Sequence, residues 1–179
     1  MFRIATVLFV GSVTAACGGG GEYNYSRDYH PLSEEKPYIE RAAQGASYED
    51  VKRDPADFRS SMLDWFGVVT SVELEGATAR VHMTHRIHQA RHLCEDERDS
   101  SCRVTVSDRQ SGPFTAIVTI RDRDRDGQER LWNGSLVRVY GSPTGDFDDE
   151  GGPVVTAEYY RHWPRGNYVT TGAAASMRR

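Results

Sequence analysis

The run from Tyr48 to Leu74, YEDVKRDPADFRSSMLDWFGVVTSVEL, constrains the fold of this chain most tightly. It reads as a short helix, a proline-opened turn and a long bent strand. Ser47 and Asp50 stand at the spacing of a capping box, so a helix starts at Ser47 with Tyr48 and Val51 on one side. Asp54-Pro55 ends it, because the residue before proline disfavours the helical region. Asp54 can itself cap a last turn that begins at Pro55 and points Phe58 inward. From Ser61 to Leu74 the chain is rich in Leu, Trp, Phe and Val. Gly67 sits mid-strand, where strands bend or bulge.

Four further strand candidates and one short piece follow. After a turn at Glu75-Gly76, Ala77 to His88 alternates: Ala79, Val81, Met83 and Ile87 face one side. His85 falls on this apolar side, while Arg80, His82, Thr84, Arg86 and His88 face the other. Val104 and Val106 form the short piece, and Ser111-Gly112-Pro113 reads as a turn into a strand from Phe114 to Ile120. Asn133-Gly134 precedes Leu136 to Tyr140. Pro153 to Trp163 closes the set, with Val155, Ala157, Tyr159 and Trp163 assigned to one face. The expected fold is therefore mainly β: a small five-stranded OB-like barrel preceded by one or two short helices. The first helix would run from Lys36 to Gln44 behind Ser33-Glu34-Glu35, with Pro37 in its first turn.

Upstream of the barrel the chain reads as an export leader and a tether. Met1 to Ala16 has Arg3 as a short positive region, an apolar run from Ile4 to Val13, and small residues at Ala15-Ala16. The apolar run is too short for a mature membrane span. Thr14-Ala15-Ala16-Cys17 resembles the lipobox of bacterial lipoproteins, which implies acylation at Cys17. Stable anchoring by several acyl chains follows, since each buried methylene contributes about 0.8 kcal/mol. Gly18 to Gly21 is a flexible linker rather than a phosphate cradle, since no strand precedes it and no Lys-Ser or Lys-Thr follows. Gly18, in place of Asp, resembles the outer-membrane sorting pattern of enteric bacteria. The expected divisions are 1–16 leader, 17–46 lipidated cysteine, linker and possible short helix, 47–165 barrel, and 166–179 tail, disordered toward its end. The remaining cysteines, Cys94 and Cys102, flank a polar loop. In an oxidising periplasm they are expected to form a disulfide contributing about 2–3 kcal/mol. Free thiols or a metal pair are the alternatives.

The segment Ser-Tyr-x-x-Val-x-x-x-Pro-x-x-Phe-x-x-x-x-x-x-x-x-Gly-x-Val, from Ser47 to Val69, resembles the opening of small bacterial OB-fold envelope proteins. Within that group the chain is similar to the Slp (starvation lipoprotein) family. Trp65-Phe66-Gly67-Val68-Val69, Leu136 to Gly141, and Pro153-Val154-Val155 with Trp163 carry the likeness. Asp64 stands where that family has an arginine, and its Pro-Leu-Asp motif is replaced by the histidine-rich run. The resemblance implies an outer-membrane lipoprotein facing the periplasm, with a structural or adaptor role and an envelope partner.

The chemistry-bearing residues are few. His82, His85, His88 and His92 are close in sequence, but a strand rising about 3.3 Å per residue spreads His82 and His88 roughly 20 Å apart. They cannot share one ion, and only His88 with His92 is a candidate transition-metal pair. Asp122, Asp124 and Asp126, followed by Gly127, copy the start of an EF-hand calcium loop. Glu129 and Asn133 occupy its eighth and twelfth positions, and two arginines intervene. Asp146, Asp148, Asp149 and Glu150 read as a solvated acidic loop. No nucleophile elbow or HExxH motif is present, and neither catalysis nor a cofactor is expected. As an alternative to the structural role, OB-folds bind oligomers on the face of their second and third strands. Here that face comprises Arg80, His82, Thr84, Arg86, His88 and Thr119, which suits an anionic glycan or lipid headgroup. The net charge of −4 and the lack of exposed stacking aromatics argue against nucleic acid. A soluble periplasmic or secreted protein is the alternative address, and a metal- or calcium-binding lipoprotein the weakest reading.

Overall fold

The structure, a computed structural model, describes residues 27–28, 31–42, 45–92 and 104–176; for 27–28, 88–92 and 174–176 it describes the backbone alone. Helix α1 (Lys36–Ala42) and helix α2 (Tyr48–Arg53) lead through a 3-10 turn, Pro55–Phe58, into the sheet. The local chemistry is as expected. Ser47 Oγ accepts from Asp50 N and donates to the Asp50 carboxylate, and Asp54 accepts from Ala56 N at the proline-opened turn.

The sheet strands, in chain order, are β1 (Arg27–Asp28), β2 (Leu63–Glu75), β3 (Thr78–His92), β4 (Val104–Thr119), β5 (Leu136–Phe147), β6 (Pro153–Trp163) and β7 (Tyr168–Thr170). Five of them close a barrel in the order β3-β2-β5-β6-β4, with β3 pairing back to β4. Every barrel pairing is antiparallel except β4 with β6. The mainly β, OB-like barrel behind two short helices is thus the architecture observed. Strand β7 adds to β4 in parallel, and the two-residue β1 pairs with the end of β3. Helix α3 (Asp122–Arg125) links β4 to β5, and helix α4 (Thr171–Ser176) follows β7.

Inward residues form one packed core cluster. Leu63, Trp65 and Val69 from β2 meet Ala79, Val81 and Met83 from β3 and Phe114, Ala116 and Val118 from β4. Val137, Val139, Val155 and Tyr160 complete the wall, and Tyr48 and Val51 of α2 stopper one end. Gly67 does not mark the bulge of β2, which falls between Val69 and Ser71. A Cβ at Gly67 would stand 2.7 Å from the Phe114 ring and 2.8 Å from Met83, so glycine there makes room for Phe114.

Two expectations need correction. Ser111-Gly112-Pro113 is not a turn between strands: β4 runs through it, and the extra residue is absorbed by a register shift between Thr84 and Arg86 of β3. Val155, Ala157, Tyr159 and Trp163 do not share a face. A register shift opposite Tyr140-Gly141 reverses the alternation, so Tyr160 points inward while Tyr159 lies under α1. The tail opens with β7 and α4, where Asp108 accepts from Thr171 Oγ1 and Gly172 N; its end, 177–179, lies outside the described residues.

The outer face of β2, β5 and β6 is covered too. Glu35, ahead of α1, is fully buried. Its carboxylate accepts from Leu32 N (2.8 Å) and from Arg161 (2.8 Å), and lies 3.8 Å from Arg138. Arg138 also forms a two-bond pair with Asp64, and its guanidinium lies between the Phe66 and Tyr140 rings. Tyr38 stacks on Tyr159 beside this network. The segment ahead of Ser47 is thereby fastened to the barrel by one buried carboxylate.

Candidate functional site

Three places gather polar or ring chemistry. The first is the outer face of β3 and β4. Arg80, His82, Thr84 and Arg86 share it because Ala79, Val81 and Met83 take the interior, and Thr119 joins it opposite Thr78. Of the two arginines in this row, Arg80 has no hydrogen bond or ion pair among the described residues. Arg86 donates to the Asp108 carbonyl (2.6 Å). His82 Nδ1 lies 3.0 Å from Thr115 Oγ1, which gives its only proton to Asp148 Oδ2 (2.6 Å). Thr115 must therefore accept at His82, which places the histidine proton on Nδ1. Nε2 lies 3.6 Å from Glu73. Asp148 Oδ1 also accepts from Glu150 N and Gly152 N, so one carboxylate shapes the β5–β6 loop and pins it to the strand face. The row expected to attract anions is bordered by Glu73 and Asp148, and its central histidine is committed to a threonine.

The second place lies at α3. Asp124 is buried, while Asp122 and Asp126 are exposed. The aspartate spacing of a calcium loop therefore does not become a calcium site: the short helix turns the middle carboxylate away from its neighbours. Among the described residues no group of three or more His, Cys, Asp or Glu side chains could hold a metal ion. Asp124 Oδ2 accepts instead from Tyr160 OH (2.5 Å) and Arg121 Nε (2.7 Å), and Oδ1 lies 3.3 Å from His162 Nδ1. Burial alone would raise this carboxyl, but hydrogen bonds from His162, Tyr160 and Arg121 outweigh it and hold it well below the usual carboxylate range. His162 Nε2 then meets Ser135 Oγ at 3.1 Å. Ser135, His162 and Asp124 have the connectivity of a nucleophile, base and orienting acid. Ser135 is wholly buried, however, and its Oγ also accepts from Trp132 N. A substrate cannot approach that oxygen while the turn is closed, and the three side chains act as a clamp joining α3, β5 and β6.

The third place is the barrel mouth beneath α2. Tyr48 stacks on His85 with centroids 4.9 Å apart, and Trp65 meets the His85 ring edge-on at 5.3 Å. Tyr48 OH donates to the Pro113 carbonyl, and burial pushes the phenol up to about 12. Burial drives the His85 imidazole down to about 4, so it is neutral at pH 7. Its Nδ1 is buried and has no hydrogen-bond partner among the described residues.

Cys17, Cys94 and Cys102 lie outside the described residues, as do the side chains of His88 and His92. The expected lipid anchor, disulfide and transition-metal pair therefore all fall outside the described residues. No family model, curated protein or solved structure matches the chain. Reading the sequence by strand periodicity placed His85 inside but missed Ser135, His162 and Glu35. For Glu35 a signal existed: a cap-region carboxylate preceding barrel strands that carry Arg138 and Arg161 at outward positions.

Proposed function

We propose that the chain is an outer-membrane lipoprotein, acylated at Cys17 and facing the periplasm, with a non-catalytic structural or adaptor role in the cell envelope. The observation that carries this reading is the joining of a lipobox-like cysteine, through a glycine tract, to a barrel whose interior is filled by its own side chains. An interior packed with its own side chains favours work done at the rim and outer surface of the barrel. The tether is short. Residues 17 to 27 separate the cysteine from β1, and at 3.3–3.6 Å per residue they reach at most about 35 Å. The barrel would stay close to the leaflet, within reach of membrane-bound partners or the cell wall. The Slp likeness points the same way.

Binding of an anionic glycan or lipid headgroup on the Arg80 face is the second reading. Arg80 favours it, as a half-exposed guanidinium without a hydrogen bond or ion pair among the described residues. Glu73 and Asp148 beside His82 weigh against it. Membrane fractionation separates anchoring from its absence: Cys17→Ala should move the protein from the outer-membrane fraction to the soluble one. An unchanged distribution overturns the proposal. Arg80→Glu tests the second reading with the barrel intact; anionic-vesicle or glycan binding that survives it rules that face out.

A further inference from the structure

The ladder between β2 and β3 stops at the Phe66–Arg86 pair. Beyond it, Leu63 to Trp65 continue against β5, while β3 runs on against β4. The two strands part, and the first turn of α2 covers the fork from above. The space between is a cavity of about 360 Å³, lined among others by Ala46, Tyr48, Trp65, Phe66, His85 and Ile87. This is a different place from the Arg80 face and from the Asp124 clamp.

We infer that this fork is a binding site for a small, uncharged aromatic molecule that carries a hydroxyl group. The volume falls at the lower end of the range of small-molecule sites. Its floor is the ring cluster of Tyr48, Trp65 and His85, and offset or edge-on packing of a further ring extends that cluster. Ile87 is 48% exposed at the rim, an apolar side chain that an occupant would cover. The charged side chains at the edge do not call for a charged ligand. Asp64 is already paired with Arg138, and Glu49 is exposed to solvent; Arg86 donates to the Asp108 carbonyl and lies in the field of the Asp108 carboxylate, while its Nε has no partner among the described residues. A charged group seated on the floor would lose its hydration against Tyr48, Trp65 and a neutral His85, none of which carries an opposite charge.

The hydroxyl follows from His85. The residue is 92% buried, being 8% exposed, its ring lines the cavity, and Nδ1 is without a partner among the described residues. Buried polar atoms left unpaired are uncommon and costly. A neutral imidazole has one N–H and one lone pair, and a hydroxyl can accept from the first or donate to the second. A phenol-like molecule thus serves either tautomer and stacks on the rings as well. The site does not depend on how the chain is anchored.

The test uses the full chain with two probes, p-cresol and toluene, which differ by the hydroxyl. Binding is read by calorimetry and by the imidazole nitrogen resonances of His85. p-Cresol is expected to bind with Kd on the order of 1 mM, set by its few heavy atoms, and to move the His85 resonances to saturation. Toluene is expected to bind about two- to tenfold more weakly, the usual worth of one neutral hydrogen bond. His85→Phe should bring p-cresol down to the toluene level. Ile87→Arg, which changes only the exposed rim, should weaken both probes while leaving thermal unfolding unaltered. If His85→Phe does not fold, the wild-type resonances and the Ile87→Arg comparison still decide. The inference is overturned if p-cresol up to about 20 mM leaves the His85 resonances unmoved, if the two probes bind equally, or if neither substitution weakens binding.

Discussion

Lowering the pH from 7.5 to 5 should destabilise this barrel chiefly through His85. Its folded-state pKa is about 4, lowered by burial against Tyr48, Trp65 and Phe114. In the unfolded chain the same group titrates near 6.5. The unfolded state therefore takes up the proton first, and stability is fully present above about pH 6.5 and is lost between 6.5 and 4. Shifts of this size correspond to about 3 kcal/mol over the whole window, of which about 2 kcal/mol is lost by pH 5. With a urea dependence of about 2 kcal/mol per M, the unfolding midpoint should fall by about 1 M. The assay is urea unfolding by tryptophan fluorescence at pH 7.5 and 5, on wild type and His85→Phe. The other five of the six histidines are common to both proteins, so the difference between the two midpoint shifts isolates His85. His85→Phe should lose about 1 M less than wild type over this interval. Equal losses would refute the claim that His85 is buried and neutral.

Glu35→Leu leaves two arginines beside a missing carboxylate and should cost about 3–5 kcal/mol by urea unfolding, with Glu35→Gln costing less. Asp124→Asn should cost about 2–4 kcal/mol at pH 7, since it weakens bonds from Tyr160, Arg121 and His162. Because the folded carboxyl is depressed, its stabilisation is present above the unfolded value near pH 4 and is lost below it. The gap between Asp124→Asn and wild type should therefore close as the pH falls. Asp148→Ala should cost about 1–3 kcal/mol and speed amide exchange at Glu150 and Gly152, whereas the exposed Asp149→Ala should do neither. Gly141→Ala should be strongly destabilising by thermal unfolding, because its Cβ would collide with the Thr156 carbonyl oxygen across the ladder.

Much of the frame is legible because it rests on short-range chemistry. Ser47, Asp50 and Asp54-Pro55 act within one turn, and Ala79, Val81 and Met83 show which side of β3 is buried. What stays hidden depends on distant residues. Period-two alternation separates two faces but does not say that α1 will cover the outer one, so nothing in it marks Arg138 and Arg161 as buried. An extra residue at Ser111–Pro113 reads as a turn until its partner strand absorbs it. The opposite error occurs at Asp122–Asp126, where spacing suggests convergence and a single helical turn separates the carboxylates. The clamp of Ser135, His162 and Asp124 spans 38 residues of sequence separation and leaves no local pattern at all.

The most direct test of the account is the intact mass of the membrane-extracted protein beside Cys17→Ala. The account predicts a chain beginning at Cys17 that carries diacylglyceryl and acyl groups, with both lost in the variant. A lipid-free chain cut at another residue would contradict it.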